Sequence, residues 1–142
     1  MKIQLKQLSL LALVAAALFL VFRWPRLNEV ETGKTAAYPD ITPRSYTADG
    51  PRVFEAAKLA VERLPRWKLA GSGFGSVGWT VQAQHSTLGL PWRQEVTIRI
   101  RRVGDETVVN VRSRSLWGKW DIGQNARNVR SFLRALDEAL FL

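Results

Sequence analysis

The first pattern along the chain is an unbroken apolar run. Leu8 to Phe22 carries no charge and a single polar side chain, Ser9. Ten of these fifteen residues are Leu, Val or Phe, and the run lacks the polar face that a surface helix needs. As a helix it rises about 22 Å, short of a hydrocarbon core of roughly 30 Å. Extended from Ile3 to Trp24 it reaches about 33 Å, provided that Lys6 snorkels its ammonium to the headgroups. Trp24 then falls at the interface, and Pro25 ends the helix. The expected element is a transmembrane helix within residues 1–24, meeting the lipid bilayer through 3–24. Two alternatives stay open. A cleaved signal peptide needs a small-residue site after the run, but Ala15-Ala16-Ala17 lies inside it and Phe22-Arg23-Trp24-Pro25 is a poor site. A buried helix of a soluble protein is the other.

Residues 25–50 show no helical period and are rich in Pro, Thr and charge. They are expected to form a tether, with Ile41 to Ala48 adding one extended strand. Residues 51–142 then read as a globular domain. Asp49 or Gly50 caps a first helix and Pro51 suits its opening turn. Val53, Phe54, Ala57, Ala60, Val61 and Leu64 recur at helical spacing, and Pro65 stops the helix. Trp67 to Gly71 predicts a short strand, and Gly71 to Gly78 a glycine-rich turn. Trp79 to Ser86, Gln94 to Val103 and Glu106 to Leu116 alternate with the period of strands. Gly104-Asp105 makes a tight hairpin between the last two. Pairing Val103 with Glu106 sets Ile100 opposite Val109 and Ile98 opposite Val111, so both apolar sets face one side. Asp121, with Gln124 three residues on, has the form of a capping box for a last helix. Ile122, Ala126, Val129, Phe132, Leu133, Leu136 and Leu140 form its apolar stripe. The predicted fold class is α+β: a mainly antiparallel sheet of about 4–5 strands, covered on one face by two helices.

Charge narrows the partners. Residues 27–142 carry 17 basic and 12 acidic side chains, a net charge of +5. With a membrane segment in front, that moderate excess argues against nucleic acid and for weak attraction to anionic surfaces. Lys2 and Lys6 precede the apolar run, Arg23 and Arg26 follow it, and Glu29 and Glu31 lie just beyond. This balance favours a cytoplasmic N-terminus and a domain on the periplasmic side of the inner membrane. The chain has no cysteine and one histidine, His85, so no structural metal site and no cofactor are expected.

The outer face of the predicted hairpin carries the candidate ligand-binding residues. Arg99 and Arg101 lie beside Asn110, Arg112 and Arg114, and Glu95 falls opposite Arg114. Guanidinium groups bind phosphate or carboxylate in a bidentate way, whereas a solvated sheet face covered by arginine stems is the plainer reading. The glycine segment leads into a strand rather than a helix, which does not fit a phosphate-cradling loop. His85 reads as a surface histidine, since no serine or carboxylate is tied to it by spacing. Trp92, Trp117 and Trp120 fall in loops, where they cap the core, rim a ligand or dip into headgroups.

Val111 to Asn125 (VRSRSLWGKWDIGQN) resembles the signature of the domain-of-unknown-function family 1499, approximately V-R-S-x-S-R-x-G-x-x-D-x-G-x-N. Arg112, Ser113, Ser115, Gly118, Asp121, Gly123 and Asn125 match. Leu116 stands where the family commonly has arginine, Gln94-Glu95 where it often has paired acids, and its frequent cysteine-bearing lead-in is missing. The resemblance spans Tyr38 to Leu140. It implies a bacterial envelope or organelle-associated protein, often membrane-anchored, and supplies no catalytic residues. Arg112, Asp121 and Asn125 join the candidate site on this ground, with Arg112 expected to bridge to Asp121. The expected function is a membrane-tethered, non-enzymatic envelope module that binds an amphiphilic or anionic ligand, such as an anionic lipid, or a membrane-protein partner. A hydrolase or transferase is the alternative, and it requires His85, Asp121 and a serine to converge on one pocket. A structural scaffold is the third.

Overall fold

The computed structural model describes residues 5–23, 25–89 and 91–141. Its elements run α1 (Leu5–Phe22), β1 (Glu29–Glu31), β2 (Arg44–Tyr46), α2 (Gly50–Arg63), β3 (Trp67–Gly75), β4 (Gly78–Ser86), β5 (Arg93–Val103), β6 (Glu106–Ser115) and α3 (Gln124–Phe141). The α+β class is as expected, but the sheet has six strands rather than four or five. All pairings are antiparallel, in the order β1-β6-β5-β4-β3, with β2 also on β6.

The β5–β6 register is the one that alternation dictates: Val103 pairs with Glu106, Ile100 with Val109 and Ile98 with Val111. Gly104 takes φ +60, the left-handed conformation that a two-residue hairpin loop demands. β2 lies within the segment expected to add a strand. β1 was not foreseen. It pairs Glu29, Val30 and Glu31 with Arg114, Ser113 and Arg112, while β2 lies further along the same strand. Between them Thr32 fills the ladder, its N–H donating to the Val111 carbonyl and its Oγ1 accepting from the Val111 N–H. The glycine-rich stretch is mostly strand. β3 continues to Gly75, a bulge interrupts it between Leu69 and Gly71, and only Ser76 and Val77 turn.

α2 and α3 cover one face of the sheet. Asp49 caps α2, its carboxylate accepting from the Arg52 N–H at 2.9 Å. Val53, Ala57, Ala60 and Val61 of α2 and Val129, Phe132 and Leu136 of α3 are fully buried against Val81, Val96, Ile98, Val109 and Val111. These side chains form the core between the sheet and the two helices.

The spanning helix expected within residues 1–24 is not shown by the structure. Among the described residues no helix is long and apolar enough to cross a membrane. α1 has 18 residues, a rise of about 27 Å, and its first turn includes Lys6 and Gln7. Ile3 and Trp24, the expected borders, lie outside the described residues.

Candidate functional site

Strand alternation divides β5 and β6 between two environments. Val96, Ile98 and Ile100 point to the helices, so Thr97, Arg99 and Arg101 point away. On β6, Val109, Val111 and Ser113 point inward, and Asn110, Arg112 and Arg114 outward. The uncovered face therefore carries all four candidate arginines, as the sequence implies. The structure separates them by their partners. Arg112 forms a fork with Glu29 of β1, Nε to Oε1 at 2.7 Å and Nη2 to Oε2 at 2.8 Å. This pairing holds the Glu29 carboxyl below the usual carboxylate range, against the opposing effect of burial. Arg114 pairs with Glu95 at 3.0 Å, the partner that register puts opposite it. Arg99 stands 3.8 Å from Glu31, which Lys34 engages more closely at 2.7 Å. Arg101 forms no ion pair with any other described residue.

The two less committed arginines line a cleft of about 550 Å³. Thr80, Arg99 and Asn110 contribute to its floor, and Glu31 and Lys34 border it on the β1 side. Arg101 and the β3–β4 turn lie at the other side, where Phe74 and Val77 are 73% and 80% exposed. Gly73 and Gly75 also line it, and no heavy atom comes within 4 Å of where a Cβ would sit on either. The Asn110 Oδ1 accepts from Thr32, which leaves its amide N–H groups to the cleft. The arrangement offers guanidinium, amide and hydroxyl donors next to an apolar tip, which suits an anionic head attached to an apolar group.

The other candidates, Asp121 and Asn125, lie on the helix side, at the corner where β6 leads into α3. Arg112 therefore does not bridge to Asp121; strand parity puts it on the opposite face. The capping box is also displaced. α3 begins at Gln124, after a turn in which Ile122 and Gly123 both take positive φ, +50 and +74. The Asp121 carboxylate fastens that turn, accepting from Gly123 N–H at 2.8 Å and from Asn125 N–H at 2.9 Å. Asn125 is fully buried. Its Oδ1 accepts from Ser113 Oγ at 2.7 Å, and its Nδ2 donates to the Asn28 carbonyl and to Ser115 Oγ, each at 2.9 Å. Asn128 adds a bond to Ser113 Oγ.

The residues of the matching motif thus meet at one corner. The family of proteins of unknown function DUF1499 matches residues 22–136. The chain belongs to this family. In this DUF1499 chain the serines, Asp121, Gly123 and Asn125 build a buried polar joint that ties β1, β6 and α3 together. Comparison with the curated proteins gives no match. Among solved structures the chain is similar to TTHA0849 from Thermus thermophilus, with 16% identity and a TM-score of 0.40, covering 80% of this chain and 97% of that one. It is also similar to LpqN of Mycobacterium tuberculosis, involved in cell envelope biogenesis, with 13% identity and a TM-score of 0.40, covering 81% of this chain and 79% of that one.

His85 is not a surface residue: its side chain is 4% exposed. It follows Val81 and Ala83 on the inner face of β4, a parity that the sequence already displays. The ring stands edge-on to Trp67, and its Nδ1 donates to Gln94 Oε1 at 2.6 Å. Burial pushes its pKa below the usual histidine value, outweighing the bond to Gln94 that raises it. A cavity of about 90 Å³ at the β6–α3 corner is lined by Asp121, Ser115 and three tryptophans, Trp92, Trp117 and Trp120, but not by His85. His85, Asp121 and a serine therefore do not converge on one pocket. Among the described residues no cluster of three or more histidine or acidic side chains could hold a metal. Sequence reasoning missed Glu29, Glu31 and Lys34, which come from the segment read as tether and reach the arginine face only because β1 pairs with β6.

Proposed function

We propose that this DUF1499 protein is a membrane-tethered, non-enzymatic binding module of the bacterial envelope, with its domain on the periplasmic side. Its ligand is an anionic amphiphile held in the cleft on the uncovered sheet face. The observation that carries this reading is Arg101. A guanidinium without a carboxylate partner among the described residues lies at a cleft lined by further donors and flanked by exposed Phe74 and Val77. Arg112 and Arg114, by contrast, are occupied by Glu29 and Glu95 and serve the sheet. The membrane part of the reading rests on α1. Its large apolar side chains from Leu8 to Phe22 lie mostly exposed, no other described segment covers them, and an all-apolar helix requires an apolar surrounding.

The test is titration of the full chain with short-chain phosphatidylglycerol, and with phosphatidylcholine of equal chain length. Tighter binding of the anionic lipid is expected. Arg101→Glu should weaken it about tenfold or more, since a charge-assisted hydrogen bond contributes roughly 1.5–3 kcal/mol. Equal affinity for both lipids, or an unchanged affinity in Arg101→Glu, would sink the proposal.

A further inference from the structure

The corner opposite the cleft carries a second surface. The β4–β5 loop and the β6–α3 loop lie together there, joined by the bond from the Leu116 N–H to the Arg93 carbonyl at 3.0 Å. Each loop exposes large apolar side chains. Leu88 is 75% exposed, Trp117 is 74% exposed, and Leu116 is also in solvent. Neither loop contains an acidic residue between Ser86 and Arg93 or between Leu116 and Trp120. Their charges are Arg93 and Lys119, both exposed. Asp121, next in the chain, is buried and spends its carboxylate on two backbone N–H groups.

The chain that leaves α1 is fastened at this same corner. The Asp121 N–H donates to the Leu27 carbonyl at 3.0 Å, the Ser115 N–H to the Asn28 carbonyl at 2.8 Å, and Asn125 Nδ2 to that same carbonyl. Arg26 lies over the Trp120 ring, 5.9 Å from its centroid. Leu27 lies only five residue steps beyond Phe22, the last of α1. Fully extended, they span about 17 Å. Wherever the apolar helix resides, Leu27, which is bonded to Asp121 at this corner, stays within that reach of its end.

We infer that the two loops form a docking surface for an anionic bilayer, Leu88, Leu116 and Trp117 entering the headgroup region while Arg93 and Lys119 meet lipid phosphates. This inference rests on the proposed seating of α1 in the membrane. Exposed aromatic and aliphatic tips framed by cations are what an interfacial contact requires, and anionic headgroups reward each nearby cation. Docking there fixes the domain's orientation. The β3–β4 and β5–β6 turns lie at the far ends of the strands, so the cleft beside Val77 and Arg101 opens away from the anchoring bilayer.

The chain contains no cysteine, so single cysteines can be spin-labelled without background. The full chain is reconstituted in vesicles of phosphatidylcholine with phosphatidylglycerol, and labels are placed by Leu88→Cys, Trp117→Cys, Asp105→Cys and Val14→Cys. Collision with oxygen, which concentrates in lipid, is compared with collision with a water-soluble nickel chelate. The expected result is a severalfold higher oxygen preference at 14, 88 and 117 than at 105. Introducing Arg93→Glu and Lys119→Glu should return the labels at 88 and 117 toward the value at 105 while leaving 14 unchanged. If 14 is in lipid but 88 and 117 are as aqueous as 105, docking is wrong and the seating of α1 stands. If 14 is itself aqueous, the membrane reading falls and the docking surface falls with it.

Discussion

Arg112 reaches across from β6 to Glu29 of β1 through two parallel hydrogen bonds of 2.7 and 2.8 Å. This fork adds a side-chain tie to a three-residue strand that is also held by its ladder with β6 and by buried Val30. Glu29→Gln is expected to lower stability by about 1 kcal/mol, the upper range for a partly exposed pair. The pH dependence has a definite sign. Arg112 holds the Glu29 carboxyl below its ordinary value, so its contribution is complete above the usual carboxylate range and is lost as pH falls through it. Denaturant melts between neutral and acid pH should show a slope that is smaller in Glu29→Gln.

Asn125 supports three partners, of which Ser113 is fully buried and Ser115 half-buried. Asn125→Ala leaves Ser113 Oγ and the Asn28 carbonyl short of a partner in a buried corner. A loss of about 2–4 kcal/mol is expected, from unsatisfied polar groups together with a small cavity. Hydrogen exchange should locate the damage: the β1–β6 amides should lose protection before those of β4 and β5. Uniform loss across the sheet would contradict the assignment of this residue as a local joint.

His85 is buried, and its pKa is depressed mainly by desolvation. Its stabilisation is therefore fully present above the unfolded value of about 6.5 and declines as pH falls below it, because the unfolded chain binds the proton more readily. Thermal melts from neutral to mildly acid pH should show this decline in the native protein. In His85→Gln the decline should flatten over that window, whatever the variant loses in overall stability.

Gly50 opens α2 under the Trp79 ring. A Cβ at this position would collide with Cη2 and Cζ3 of the indole. Gly50→Ala is expected to cost about 1–3 kcal/mol by overpacking. Combined with Trp79→Leu it should cost less than the two single changes together, since the smaller side chain removes the clash. Strict additivity in a double-mutant cycle would refute this contact.

Gly71 lies on β3 with nothing near its missing Cβ and no positive φ. Gly71→Ala should raise stability by about 0.4–1 kcal/mol, by narrowing the unfolded ensemble. A denaturant midpoint that falls would mean that this strand edge is more crowded than its geometry indicates.

Much of the domain is legible in the chain because it follows from local periods. The alternation of Ile98, Ile100, Val109 and Val111, with a two-residue loop between the strands, leaves one register that buries one face. The apolar stripes of α2 and α3 are equally local, as is the Asp49 cap. β1 was not legible: three residues carry almost no periodic signal, and its place is set by Val111, Arg112 and Asn125, all distant in sequence. The glycine run read as a turn because glycine marks turns locally, whereas pairing with β4 makes most of it strand. His85 had a readable signal, since it shares the parity of Val81 and Ala83, but its polarity pointed to the surface.

Among the candidate residues the chain alone could place four arginines on one outward face, because side-chain direction in a strand depends only on parity. It could not rank them. That ranking depends on carboxylates delivered by other elements: Glu29 and Glu31 from β1, and Glu95 selected by strand register. Asp121 and Asn125 were visible as a motif, but whether they face a ligand or the protein is decided by what packs over them, and Asn28 and the serines fill that role. Local pattern therefore determined most of the elements, the faces of the long strands and helices, and the family. Only the tertiary arrangement decided which charges are satisfied and which, like Arg101, remain available, because pairing is a property of distance in space and not along the chain.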